Sequence, residues 1–363
     1  MIGLTLSKYI SLQFLKMLLA IFAGISFLII TVDFIEQMRK LGDDGTIGAG
    51  TVLLMAALRA PVFVEKAFPF ICLFAAMITL TQLNNKLELV VARSAGVSAW
   101  QFLLPISFSA AATGLLVALI YNPLAIKAFE TSKNLEANIV EQGGKTVGWK
   151  KSGYWIKQLD DEGTSIINAG LARNRGQSLD DVKVMRFDTQ GRIRERIDAA
   201  SAEYRVDHWH FKVATITDSQ GRIQHINDMN LPTRLTKDSL LGASSPPDAI
   251  PFWDLKKTAK TLKESGTNPN PYMVQYYRQM ALPLFFVAMV LVAATVCLRF
   301  VRFGQVGRMI LGGIAFGFVL YILTNLVTAL GSNGAVPPMV AAWSPVIVAI
   351  LFGISILLHQ EDG

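Results

Sequence analysis

Ala99-Trp-Gln-Phe-Leu-Leu-Pro-Ile-Ser-Phe-Ser-Ala-Ala-Ala-Thr-Gly-Leu-Leu-Val-Ala-Leu-Ile-Tyr121 runs for 23 residues without an Asp, Glu, Lys or Arg. As a helix rising about 1.5 Å per residue it spans about 35 Å, enough to cross a hydrocarbon core about 30 Å thick. Asn122-Pro123 marks its expected end. Upstream, the apolar character extends back to Leu4; beyond a polar middle, it returns from Tyr272 to Leu358. Each apolar region divides into three stretches of membrane-spanning length. They are expected at about Tyr9–Thr31, Val52–Leu83 and Ala99–Tyr121, then Tyr276–Leu298, Met309–Leu330 and Met339–Leu358. Pro61 and Pro69 are expected to kink the second. The reading is an α-helical integral membrane protein with six transmembrane helices in 3+3 order and an inserted antiparallel β domain. The expected domains are 1–127, 128–265 and 272–363.

Composition agrees. The chain is 52% hydrophobic and only 17% charged, against about 25% charged in soluble domains. Most charges fall between Lys127 and Glu264. The net charge of +7 comes with no basic stripe interleaved with aromatics, so nucleic acid is not an expected partner. Cys72 and Cys297 fall in apolar stretches and read as small buried hydrophobes. The apolar run Met17–Val32 is longer than a signal-peptide core and has no small-x-small cleavage site, so it reads as a retained first helix.

The middle region, about Glu130 to Leu240, alternates apolar and polar residues. Gly153-Tyr-Trp-Ile-Lys, Val182-Lys-Val-Met-Arg-Phe and Trp209-His-Phe-Lys-Val are separated by Asp161-Glu-Gly, Thr189-Gln-Gly and Ser219-Gln-Gly. Strands closed by glycine turns at this spacing predict an antiparallel sandwich or jelly-roll-like domain. After the Pro-rich break Ser244–Pro251, Phe252 to Ser265 reads as a short amphipathic helix. Phe252, Leu255 and Leu262 lie on one side and a lysine cluster on the other.

Basic residues in short loops orient the spans. Arg299, Arg302 and Arg308 follow the fourth span without an acid, which places that loop in the cytoplasm. Both termini, Lys86 and Arg93 then fall on the same side, and the β domain falls outside. Arg39, Lys40, Arg59 and Lys66 also fall outside, against the rule. Either an anionic ligand meets them there, or Asp33, Glu36, Asp43, Asp44 and Glu65 pair with them.

One polar segment sits between the second and third spans: Asn84-Asn-Lys-Leu-Glu-Leu-Val-Val-Ala-Arg-Ser-Ala-Gly-Val-Ser98. Leu87, Val90 and Val91 share one helix face, Lys86, Glu88 and Arg93 face elsewhere, and Gly96 is a stop signal. A short cytoplasmic helix of this kind suits docking into a groove of an ATPase subunit, with Glu88 paired to a cation. An ordinary helix lying on the membrane is the plain alternative.

Other patterns carry less. Gly143-Gly-Lys-Thr lacks the first glycine of a P-loop, since position 139 is Ile139. His208 and His210 share a strand face, but no third ligand is indicated. Asp43-Asp44, Asp160-Asp161 and Asp180-Asp181 read as turn residues. With no ion relay and no ATP site, a transporter built on this chain needs an external motor.

At this point the chain resembles a known family, the lipopolysaccharide export permeases of the YjgP/YjgQ type. The resemblance covers essentially the whole length. It rests on Glu88-Leu-Val-Val-Ala-Arg-Ser-Ala-Gly96, Phe34-Ile-Glu-Gln-Met-Arg-Lys40 and Gly313-Ile-Ala-Phe-Gly-Phe-Val-Leu-Tyr321. The Glu-Leu-Val-Val form looks more like the LptG branch than the LptF branch. The resemblance implies a permease subunit, not an enzyme, that needs no cofactor and sits in the bacterial inner membrane with a periplasmic β domain. It implies an LptF-like paralogous permease, an LptB-like ATPase dimer and an LptC-like single-span periplasmic protein as partners. Lipopolysaccharide would leave the outer leaflet of the inner membrane through a cavity gated by helices one and five, and pass to a periplasmic β bridge. Leu87, Glu88, Val90, Val91, Arg93 and Gly96 would couple to the ATPase. Phe34, Arg39, Lys40, Arg59, Lys66, Phe316 and Tyr321 would meet the lipid. Asp33 departs from the pattern, because members can carry a basic residue there; Arg59 or Lys66 could compensate. A permease for lipoprotein release or periplasmic signalling, a membrane enzyme acting on lipid-linked sugars, and a structural scaffold are the other readings.

Overall fold

A computed structural model describes residues 4–41, 48–94, 96–142, 154–160, 163–173, 177–188, 190–233, 246–264, 267–297 and 306–361. The chain divides into two compact units, Met1–Gly143 with Val274–Gly363, and Gly144–Met273.

The first unit is helical. It holds α1 (Leu4–Leu41), α2 (Ala49–Asn85), α3 (Glu88–Ser94), α4 (Ala99–Leu116), a π-turn (Val117–Tyr121) and α5 (Asn122–Gln142). After the sheet and α6 (Phe252–Glu264) come α7 (Asn270–Cys297), α8 (Val306–Ser332) and α9 (Pro338–Glu361). Among the described residues, six stretches are long and apolar enough to cross a membrane, three before the sheet and three after. At 38 and 37 residues, α1 and α2 are about 55 Å long and outrun the hydrocarbon core.

The chain does not stop at Asn122-Pro123. It widens into the π-turn and continues helically to Gln142. Pro123 lies in the first turn of α5, where its missing N–H costs least, and the wide turn leaves room for its ring. The stretch expected to open the β domain at Glu130 is therefore helix.

The helical core centres on α2. Phe68 stacks on Phe22 of α1 (5.5 Å) and Phe286 of α7 (6.0 Å), and meets Tyr121 edge-on (5.1 Å). Helices α4 and α7 touch backbone to backbone at Gly114. A Cβ there would lie 2.6 Å from Pro283 Cα, so only glycine permits this approach.

The second unit holds one antiparallel sheet. Its strands are β1 (Tyr154–Asp160), β2 (Gly163–Arg173), β3 (Ser178–Phe187), β4 (Ile193–Arg205), β5 (His208–Asp218) and β6 (Ile223–Pro232), paired in sequence order. Laid flat, β1 and β6 would stand about 24 Å apart. Yet Gln158 of β1 donates Nε2 to the Pro232 carbonyl (3.1 Å) and accepts from Thr233 Oγ1 (2.7 Å). The sheet is thus rolled until its ends meet. It is a meander, without strand crossovers among the described residues, where a sandwich or jelly-roll-like arrangement was expected. Ile167, Val184, Ile197, Trp209 and Phe211 fill the interior.

A line of interrupted pairing crosses the sheet. The ladders skip Gly170 opposite Asp181, Asp181 opposite Ala200, and Lys212 opposite Asp228, yet the register is unchanged on either side. At this level the inward-facing positions shift by one: Leu179 then Val182 in β3, Phe211 then Ala214 in β5. A single added residue would turn one strand's side chains to the opposite face. Here the neighbouring strands make the step together, so register and interior both survive. Asp181 (φ 49°) and Asp228 (φ 58°) occupy left-handed backbone on this line. Asp180-Asp181, read above as a turn, therefore lies inside β3.

Two turns at one end of the sheet are built alike. Asp188-Thr-Gln-Gly-Arg-Ile193 and Asp218-Ser-Gln-Gly-Arg-Ile223 are near-repeats. Asp188 Oδ1 accepts from the N–H of Gln190 and Arg192, and its Oδ2 from Arg192 Nε (2.9 Å each). Asp218 makes the same bonds to Gln220 and Arg222. The Arg192 backbone N–H holds the Asp188 carboxyl below its usual range, and the Arg222 N–H does the same for Asp218.

Candidate functional site

Most of the residues singled out from the sequence fall in two groups, one following the C-terminal end of α2 and one around Arg59 in its first half. Arg59 and Asn85 stand about 40 Å apart along its axis, more than the thickness of a hydrocarbon core.

At the C-terminal end, Lys86 caps α2 by donating its N–H to the Gln82 carbonyl (3.0 Å). Leu87 then turns the chain with φ 61°, a backbone that leucine rarely adopts. This turn starts α3 in a new direction, and Val91 N–H closes back on the Leu87 carbonyl (3.0 Å). Leu89 is buried in the helical core and anchors α3. Leu87, Val90 and Val91 point outward, Val91 with 65% of its surface exposed. Glu88 accepts a hydrogen bond from Tyr9 Oη of α1 (3.2 Å). Gly96 ends the segment at φ 83°, and the Val97 N–H reaches back to the Ala92 carbonyl (3.1 Å). The Arg93 side chain lies outside those described. The spacing announced the outward stripe; Leu89 as anchor and Tyr9 as partner were not legible, because both depend on where α1 and α2 pack.

At the other end, Asp33 of α1 faces Arg59 of α2, with Nε and Oδ2 3.8 Å apart. Glu136 of α5 approaches Arg59 Nη1 at 3.9 Å, and the guanidinium lies 5.9 Å from the Phe129 ring centre. The acid at position 33 and the cation at position 59 thus form one group with Glu136, an acid the sequence reading did not include. Arg39 lies six residues beyond Asp33, about 9 Å further along α1, and Lys66 about 10 Å from Arg59 the other way. Both are exposed. The Lys40 side chain, Asp43 and Asp44 lie outside those described. Glu65, weighed above as a partner for these cations, accepts from Asn122 Nδ2 of α5 (2.9 Å) and Gln279 Nε2 of α7 (2.6 Å). It joins helices from both halves of the chain. Phe34 is half-buried. On α8, Phe316 stacks on Phe352 of α9 (5.0 Å), and Tyr321 lies 5.6 Å from Phe70 of α2.

The histidines have local partners. His208 Nδ1 meets Asp207, and His210 lies between Asn230 and Asp228. No group of three metal-ligating side chains occurs among the described residues.

Six candidate spans and an antiparallel sheet among the described residues agree with the sequence comparisons. Residues 8–359 match the family described as lipopolysaccharide export system permease LptF/LptG. The chain belongs to that family. The LptF/LptG permease described here is 25% identical over 339 residues to the lipopolysaccharide export system permease protein LptG of Escherichia coli (strain K12), covering 91% of each chain. It is 25% identical over 362 residues to the protein of the same name from Haemophilus influenzae, covering 96% of each. It is a multi-pass inner-membrane protein and a permease subunit of the lipopolysaccharide export system. As such it is a transporter component.

Proposed function

We propose that this LptG-like permease works beside a second, paralogous permease. It takes lipopolysaccharide from the outer leaflet of the inner membrane into a cavity between their helices and hands it to its own β domain, which joins a periplasmic bridge. A lipid with several acyl chains gains about 0.8 kcal/mol for each methylene kept out of water, so the step needs an apolar conduit and an energy source. The source is a separate ATPase dimer seated on α3. Both termini and α3 then face the cytoplasm, the β domain faces the periplasm, and a single-span periplasmic protein completes the bridge. The observation that carries this reading is α3 itself. Leu89 fixes it to the core while Leu87, Val90 and Val91 face outward, an apolar patch of the kind that marks a partner surface. Supporting it, the first and fifth spans are the least buried of the six, as expected of helices that line a gate. Arg39 and Lys66 are exposed and suit lipid phosphates. The charge of Arg59 is offset by Asp33 and Glu136.

The tagged chain, purified from native membranes in mild detergent, should bring down a small P-loop ATPase, a homologous six-span permease and a single-span periplasmic protein, identified by mass spectrometry. Glu88→Lys should release the ATPase while leaving the two membrane proteins in place. Recovery of folded protein with no ATPase would sink the docking role of α3.

A further inference from the structure

We propose that the outward face of α6 is a binding surface for anionic phospholipid headgroups at the membrane surface, a role separate from the transport path. In this 13-residue helix, Leu255, Ala259 and Leu262 are buried. Trp253, Lys256, Lys257 and Lys260 follow the spacing i, i+3, i+4, i+7 and so line one outward face; all four are exposed, and Lys263 flanks them. The helix carries four lysines against Asp254 and Glu264. Lys260 meets Glu264 at 4.0 Å in solvent, and four lysines against two acids keep the helix cationic. Trp253 keeps 63% of its surface exposed beside these lysines. An indole beside several ammonium groups on one face suits the headgroup layer, where tryptophan rings settle and lysines meet phosphates.

The chain supplies the tether. Only residues 265–269 separate Glu264 from Asn270, where α7, a candidate membrane span, begins. Six peptide steps extend to at most about 20 Å, so the C-terminal end of α6 is tied within that distance of the first residue of α7. An acidic protein patch would satisfy the lysines equally, but it would not be held there by the chain.

The test uses the full-length chain reconstituted in vesicles of phosphatidylcholine with either brominated phosphatidylcholine or brominated phosphatidylglycerol at equal mole fraction. Bromine quenches indoles in contact with it. The chain has six tryptophans, so the Trp253 component is the difference between the parent and Trp253→Phe. Brominated phosphatidylglycerol should quench that component at least about threefold more than brominated phosphatidylcholine. Replacing Lys256, Lys257, Lys260 and Lys263 with Gln should abolish the preference, each lysine being worth up to about fivefold near an anionic surface. Replacing them with Arg should retain it, with circular dichroism showing that both variants fold. No quenching by either lipid overturns the proposal. So does equal quenching by both that the Gln variant retains, which would mean apolar anchoring alone. A photo-crosslinker at position 256 should capture phospholipid in native membranes; capture of a protein in its place overturns the proposal in favour of a docking face.

Discussion

Leu87 is the residue on which the direction of α3 depends. Its left-handed backbone costs a non-glycine residue about 1–2 kcal/mol, and its exposed side chain recovers little of that within this chain. Leu87→Gly should therefore raise thermal stability by up to about 1 kcal/mol while lowering ATP-driven lipopolysaccharide release in a reconstituted system. Equal losses in both readouts would mean that Leu87 serves folding alone. At the two like turns, Asp188 and Asp218 are held below the usual carboxylate range by backbone N–H donors. A depressed folded-state value contributes stability above the unfolded value, and that contribution is lost as pH falls through the folded one. The β domain should thus weaken below about pH 4. Asp188→Asn with Asp218→Asn should flatten this acid limb in a thermal-melt series from pH 3 to pH 7.

Between elements, the tightest approach is that of α4 to α7. Gly114→Val would place methyl groups inside Pro283. Backbone cannot retreat as a side chain can, so the change should cost about 1–3 kcal/mol, seen as a lower melting temperature in detergent. The spans themselves were legible in the sequence, because runs such as Ala99–Tyr121 admit no other reading. The end of the third was not. Asn122-Pro123 reads as a stop for an α-helix, and the chain passes it through a π-turn, which has no signal in composition. In the sheet, β1, β3 and β5 were legible from alternation and glycine turns. The alanine-rich β4 and the largely exposed β6 lack the apolar alternation that marks a strand. The shared one-residue step was hidden as well, since within any one strand it looks like a broken pattern. Of the candidate site, the outward stripe of α3 followed from spacing. The Asp33–Arg59–Glu136 group needed three helices to be placed before Glu136 could count.

Across the whole molecule, Glu65 ties the first half of the chain to the second. Asn122 and Gln279 are almost fully buried, and both give their amide hydrogens to its carboxylate. Glu65→Ala would remove the carboxylate that accepts from both amides, at a cost of about 2–3 kcal/mol. Glu65→Gln keeps one acceptor oxygen and should cost less. The order Ala below Gln below parent in melting temperature is the expected result, and no difference between the two variants would remove Glu65 from this role.

The bonds joining Gln158 to Pro232 and Thr233 hold the rolled sheet together between residues 74 and 75 positions apart. A growing chain makes β1 early, and the Gln158 side chain finds these partners only once the end of β6 has been synthesised. Every ladder from β1 to β6 can zip locally as it emerges, hairpin upon hairpin, but the seam must wait for the last strand. These bonds are therefore the last of the sheet to form, so a chain cut short before Thr233 would keep every ladder yet lose the clasp that holds the roll.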